Sequence, residues 1–254
     1  MTLQVSDTIY FLDNRAYVFR SYEVICDAAF EVIHSSKHGD KVKSETANAI
    51  GRVGFILATY NDGDFDSFWK YYKKIWDRFR DGSKKEKDLV YFVKIFHVLL
   101  STKPYVKEVV ILPLLDDLQQ TLEKTENPLI VPPLINALGH ISQQHPKLFE
   151  PRFQDIVDIL VGWHVDTGQS PSLKLHISTV LLSWHSFWII DLDFSASLLR
   201  QFIEDIESFT EEIEECTSSA DLSECIEKIS SVLQVFNTVL SCLRTKSRQK
   251  VRRF

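Results

Sequence analysis

Apolar residues recur at steps of three and four along most of this 254-residue chain, a period that places them on one face of successive helices. A strand would require alternation, and no segment offers it convincingly. The clearest run spans 221–243, where Leu222, Ile226, Ile229, Leu233, Phe236, Leu240 and Leu243 form one stripe. Just upstream, Phe194, Leu198, Phe202, Ile206, Phe209 and Ile213 repeat the pattern, with Asp191 and Asp193 as N-cap candidates. Only CTSSA joins the two helices, so they are expected to fold back as an antiparallel hairpin.

The same spacing predicts helices at about 14–36, 43–60, 64–80, 85–101, 104–123, 128–144, 148–164 and 172–189. The breaks between them (HSSKHGD, YNDGD, RDGSK, STKPY, TENP, QQHPK, DTGQSPS) carry turn chemistry. Pro104, Pro128, Pro151 and Pro171 sit near predicted helix starts, where a missing amide hydrogen costs nothing. Pro132 and Pro133 leave two options open: the helix begins at Pro132, or a helix from Pro128 is kinked there. Taken in pairs, the helices start near 14, 64, 104, 148 and 194, a period close to the ~40–47 residues of HEAT and armadillo arrays. The expected fold is therefore an all-α, HEAT/armadillo-like α-α solenoid of about ten helices, forming one domain over 1–243 in about five pairs. A compact all-α domain of ten helices is the alternative that length alone permits.

Glycine supports this reading. Eight residues in 254 is less than half the usual ~7%, which disfavours Rossmann, P-loop and β-sandwich folds. The net charge of −6 divides into −12 over residues 1–243 and +6 over 244–254, so the body is acidic and the basic tail is expected to be disordered. Phosphate neutralisation across the whole body is thereby disfavoured. The four cysteines lack any C-x-x-C spacing and read as reduced, partly buried thiols, pointing to an intracellular protein. The start of the chain lacks the pattern of a secretory signal, and the longest apolar stretch, Val109–Leu115, is too short to span a bilayer. A soluble protein with no membrane partner is expected.

A search for chemistry assigns no catalytic, cofactor-binding or metal-binding residue, and no cofactor. His140 and His145, or His176 and His185, lack the spacing of a metal motif, and His164 beside Asp166 has no recognisable nucleophile turn nearby. Surface or helix-end histidines are the better reading. Ten acids between Glu204 and Glu227, with no intervening Lys or Arg, read as a solvated helix face. WKYYKKIWDRFR at 69–80 interleaves aromatics with bases in a way that suits single-stranded nucleic acid. On a helix, however, Phe68, Tyr72, Ile75, Trp76 and Phe79 share a core side while Lys70, Lys73, Lys74 and Asp77 face solvent, so RNA is not the expected partner. Trp163, Trp184, Phe187 and Trp188 are expected to form the contact between two consecutive helices; an exposed Trp among them would mark a partner-binding hot spot.

PLIVPPLINALGHISQQHPKLFEPRFQDIVDILVGWHVD at 128–166 reads as one HEAT-type unit. Within it DIVDILVGWHVD, and further on SFWIIDLDFSASLLRQFIEDIE at 186–207, resemble the N-terminal helical solenoid of the phosphatidylinositol 3-kinase-related protein kinases that drive nonsense-mediated mRNA decay. The resemblance is carried by about 128–240; over 1–127 only the helical pattern agrees, and it fails near Cys242. It implies a segment truncated before the serine/threonine kinase domain, a non-catalytic scaffold contacting accessory subunits of the mRNA-decay kinase complex, in the cytoplasm and also the nucleus. No kinase motif is present; the nearest tripeptide to DFG is Asp193-Phe194-Ser195, at a helix start. The partner-binding residues are left unknown. Self-association through the uncapped end at 221–243 is expected. The alternatives are an independent HEAT-repeat adaptor and an RNA-binding helical-repeat protein.

Overall fold

A computed structural model of the chain describes residues 15–60, 65–82, 86–101 and 106–251. Pro104 and parts of the breaks YNDGD, RDGSK and STKPY lie outside the described residues. Contacts cluster into two compact units, Met1–His145 and Pro146–Phe254. Their boundary falls inside the 128–166 stretch read above as one repeat unit.

The first unit contains α1 (Arg15–His34), α2 (Asp40–Tyr60), α3 (Phe65–Gly82), α4 (Glu86–Leu100), α5 (Glu108–Lys124) and α6 (Val131–Gln144). Consecutive helices pair, α2 packs broadly on α4, and α4 packs on α6. The alternate helices α1, α3 and α5 meet one another less extensively. This layering, with no strand among the described residues, fits an all-α helical repeat. The α2–α4 contact depends on two glycines. A Cβ at Gly51 would stand 2.5 Å from Val98 Cβ, and one at Gly54 would stand 2.3 Å from Leu99 Cδ1 and 2.9 Å from Tyr71 Cε1. The helices thus approach more closely than any side chain would permit. Tyr71 is fully buried and its hydroxyl donates to the Ile50 carbonyl, which adds it to the core side of α3 beyond the five residues expected there.

Buried Asp88 on α4 receives His34 of α1 at 2.9 Å and Lys43 of α2 at 3.8 Å, tying three helices together. Pro113 lies inside α5, where it removes one intrahelical bond to the exposed Val109 turn, a place where water can satisfy the carbonyl. Of the two options for Pro132 and Pro133, the first holds. α6 begins at Val131 with proline in its opening positions, and Pro128 falls in the preceding turn.

The second unit contains α7 (Pro146–Phe149), a 3₁₀ turn (Glu150–Arg152), α8 (Phe153–Val165), α9 (Pro171–Ser183), α10 (His185–Ile190), α11 (Leu192–Glu215) and α12 (Ser219–Val251). Two predicted helices are subdivided. Pro151 converts the start of the 148–164 element into the 3₁₀ turn. The 172–189 element breaks at Trp184, without glycine or proline. There the Leu181 carbonyl accepts the Trp184 amide and, at 2.9 Å, the indole N–H of buried Trp188. Satisfying that indole indoors outweighs continuing the helix. Ser170 caps α9 through a 3.3 Å bond from the Leu173 amide, with Pro171 at its first position. Asp191, rather than Asp193, caps α11 through the Phe194 amide at 3.0 Å.

α11 and α12 form the expected hairpin, and α12 also packs on α8, α9 and α10. The α12 helix extends eight residues past Leu243, into the stretch expected to be disordered. Its physical basis is plain in the sequence: 219–251 contains neither glycine nor proline, and its last turns are rich in the good helix formers Lys, Arg and Gln.

Candidate interaction face

The inward side of α12 is not the stripe that its periodicity suggests. The buried residues are Cys225, Ser231, Val232, Val235, Thr238, Val239 and Cys242. Of the expected stripe, Leu222, Ile226 and Leu233 are exposed, and Ile229, Phe236, Leu240 and Leu243 are only half-buried. The helix therefore has two apolar faces. Its smaller residues lie against α8, α9 and α10, and its larger ones run along a partly open face at alternating steps of four and three, the spacing of a coiled-coil seam. At the far end of the hairpin Ile206, Phe209 and Ile213 of α11 are likewise only half-buried. A stripe this long, left partly wet, is the strongest candidate contact surface in the described chain. It is flanked by the acid-rich run 204–227, where Lys228 pairs with Glu224 at 3.0 Å and lies 5.7 Å from the centre of the Phe209 ring.

Between α9 and α12 lies a polar cleft of about 530 Å³. Buried Lys174 donates to Ser231 at 3.0 Å and pairs with Glu227 at 3.5 Å; Ser178, Gln234 and Asn237 also line the cleft. Behind it, fully buried His164 meets the Ser178 hydroxyl at 3.0 Å. Burial, reinforced by the Lys174 charge, lowers the His164 pKa to about 4, so the imidazole is neutral at physiological pH. Among the described residues no group of three or more His, Cys, Asp or Glu side chains could hold a metal ion.

The residues singled out by motif and spacing have other roles. Asp166 does not orient His164. Its carboxylate accepts the Gly168 amide at 2.9 Å and the Gln169 side chain at 2.6 Å, and these bonds hold its pKa low. His164 itself is buried rather than a surface histidine, and His145 caps the end of α6 in a buried position. His140 stacks on His97 at 5.4 Å, and burial lowers its pKa. Ser195, of the DFG-like tripeptide, is buried and donates to the Trp188 carbonyl at 2.8 Å, a structural bond within the unit.

Trp184, Phe187 and Trp188 are buried in a nest with Phe149, Phe153 and Phe194. Phe153 is its hub, meeting Trp188 edge-on at 5.0 Å and Phe187 stacked at 5.5 Å. Trp163 is half-buried and outside that nest. The nest is thus packing within the unit, and three of the four residues considered for a hot spot are inaccessible to a partner.

On α3 the basic positions are partly taken. Lys74 and Arg78 reach Asp27 at 3.0 and 3.7 Å, and Arg80 reaches Asp77 at 3.3 Å while lying 5.4 Å from the centre of the Trp76 ring. Lys70 and Lys73 remain exposed. Tyr71, Tyr72 and Phe79 are buried and so withdrawn from base stacking.

The serine/threonine-protein kinase SMG1 of Danio rerio is 29% identical over 247 aligned residues, which cover 93% of this chain. The chain is similar to a segment of SMG1. Smg1 of Drosophila melanogaster is 27% identical over 208 residues, covering 80% of the chain. The chain spans only about 7% and 6% of the lengths of these two kinases. No protein-family model and no solved structure matches it. The SMG1 similarity over 93% of the chain reaches well into 1–127, where spacing alone supports only a helical pattern. An all-helical chain that covers so little of a kinase is consistent with a region outside catalysis. No helix among the described residues is long and apolar enough to cross a membrane.

Proposed function

We propose that this chain is a non-catalytic helical-repeat segment of an SMG1-type kinase acting in nonsense-mediated mRNA decay, and that its work is protein–protein contact with accessory subunits of that kinase complex. The observation that carries the reading is the SMG1 similarity along 93% of the chain. The partly open apolar face of α12 supports it as the surface through which contact is made. Exposed Ile226 and Leu233 sit on that face, so the double variant Ile226→Glu, Leu233→Glu places charge on it while sparing the buried Val232, Val235 and Val239.

Purified accessory subunits of the mRNA-decay kinase complex should be retained by the immobilised chain and lost from the double variant. Equal retention by both would remove α12 from the reading. A phosphotransfer assay on the isolated chain should stay at background, and nucleotide-dependent activity would overturn the non-catalytic assignment. The same face accounts for self-association of the free chain. Sedimentation at tens of micromolar should show dimers or larger species that the double variant reverses, whereas a clean monomer would discard that part.

A further inference from the structure

Where α11 gives way to α12, two thiols face each other. Cys216 is the C-cap of α11, with extended backbone (φ −63°, ψ 124°), so it is free of helical geometry. Cys225 lies two turns into α12. Their sulfurs are 3.9 Å apart, Cys216 is half-buried, and Cys225 also contacts a Glu212 carboxylate oxygen at 3.8 Å. A disulfide needs about 2.05 Å between sulfurs. Closing that gap calls for movement of the two side chains and of the Cys216 backbone, which lies outside the helix. Both cysteines are free in the structure.

We propose that Cys216 and Cys225 are an oxidisable dithiol, closed to a reversible disulfide by a neutral peroxide, which straps the tip of the α11–α12 hairpin. Cys216 is the more accessible sulfur and reacts first. It loses its proton to water and attacks one peroxide oxygen, the O–O bond breaks, and hydroxide leaves to become water, giving a sulfenic acid. Cys225 then attacks the Cys216 sulfur. Its proton passes by way of Glu212 to the departing hydroxide, the S–O bond breaks, and the S–S bond forms with release of a second water. In sum two thiols and one hydrogen peroxide give one disulfide and two waters.

The surroundings select the oxidant. The ten acids between Glu204 and Glu227 repel an anionic oxidant such as oxidised glutathione, whereas uncharged peroxide approaches freely. Burial, the neighbouring thiol and Glu212 all raise the Cys225 pKa, which keeps it protonated until the sulfenic acid is present. Cys26 and Cys242 are internal controls, each buried with its pKa raised to about 11.

The test treats the full chain with hydrogen peroxide, or with oxidised glutathione at the same concentration, then blocks free thiols and maps disulfides by mass spectrometry. Peroxide should give a Cys216–Cys225 peptide within one chain that dithiothreitol reverses, at least about tenfold faster than oxidised glutathione. Hydrogen exchange at residues 217–224 should slow by about tenfold in the closed form. Cys216→Ser and Cys225→Ser should each abolish the linked peptide. The proposal is overturned if peroxide leaves both thiols alkylatable, gives only sulfinic acid on Cys216, or links separate chains. Equal rates with the two oxidants would overturn the charge selectivity.

Discussion

Two helix contacts in this chain are built on opposite principles. Between α2 and α4, Gly51 and Gly54 let Val98 and Leu99 approach until no space is left for a methyl group. Between α9 and α12, the meeting surface holds Lys174, Ser178, Ser231 and Glu227 around a water-accessible cleft. Around the two glycines the first contact takes its stability from dispersion and excluded water, while its polar bonds, Lys43 to Asp88, Tyr91 to Asp40 and Lys94 to Ser44, lie elsewhere along the two helices. The second depends on polar groups finding partners, so its strength varies with protonation and with whatever occupies the cleft. A contact of the first kind fixes a geometry, and one of the second kind can be tuned.

The largest expected effect tests the polar side. His164 is held neutral with a pKa of about 4, against about 6.5 when unfolded. Between those values the unfolded chain binds the proton and the folded chain does not, so stability falls as the pH drops through this window. The full contribution is present above about pH 6.5 and gone below about pH 4, a loss of about 3 kcal/mol at most. Urea unfolding at pH 7 and pH 5 should show the decline, with His164→Gln flattening it. His140 and His145, also held low by burial, supply a remainder of the same sign. An unchanged decline in the variant would mean that the cleft does not carry the effect.

Next comes the dry contact. Alanine normally stabilises a helix interior relative to glycine, yet Gly51→Ala would drive a methyl into Val98 Cβ, a branched atom that cannot rotate away. The variant should lose about 1–3 kcal/mol, read from the denaturant midpoint. A gain in stability would show that α2 and α4 separate at little cost. The smallest effect concerns Tyr72, whose buried hydroxyl has no hydrogen-bond partner among the described residues. Tyr72→Phe removes that polar group without changing the ring packing against Phe96. It should be neutral or stabilising by up to about 1 kcal/mol, and a clear loss would reveal a polar partner for the hydroxyl.

These contrasts also explain what periodicity could and could not foretell. Apolar spacing located the longer helices of the described chain, because each must bury a face somewhere, but it did not foresee the breaks after Phe149 and at Trp184 or the extension of α12 to Val251. The family resemblance rested on the particular residues of two short segments, 155–166 and 186–207, and not on their period. The choice of face on α12 was hidden, because Leu222, Ile226 and Leu233 read as more hydrophobic than Cys225, Val232 and Val239, yet the smaller set is the one that fits beside α8, α9 and α10. The break at Trp184 was hidden as well, since it arises from an indole seeking a carbonyl rather than from a breaker residue. The thiol pair at 216 and 225 has no motif spacing, and only the turn of the hairpin brings its members together. The burial of His164 follows from α8 packing against α9, a tertiary arrangement with no local signature.

Asp88 gives the first unit a property of its own. One buried carboxylate answers to α1 through His34 and to α2 through Lys43 while belonging to α4. None of the three helices can detach without leaving this charge short of a partner in a place that water reaches only sparingly. Fraying of any one is thereby discouraged by the other two, and α1, α2 and α4 are bound to open and close as a single cooperative block.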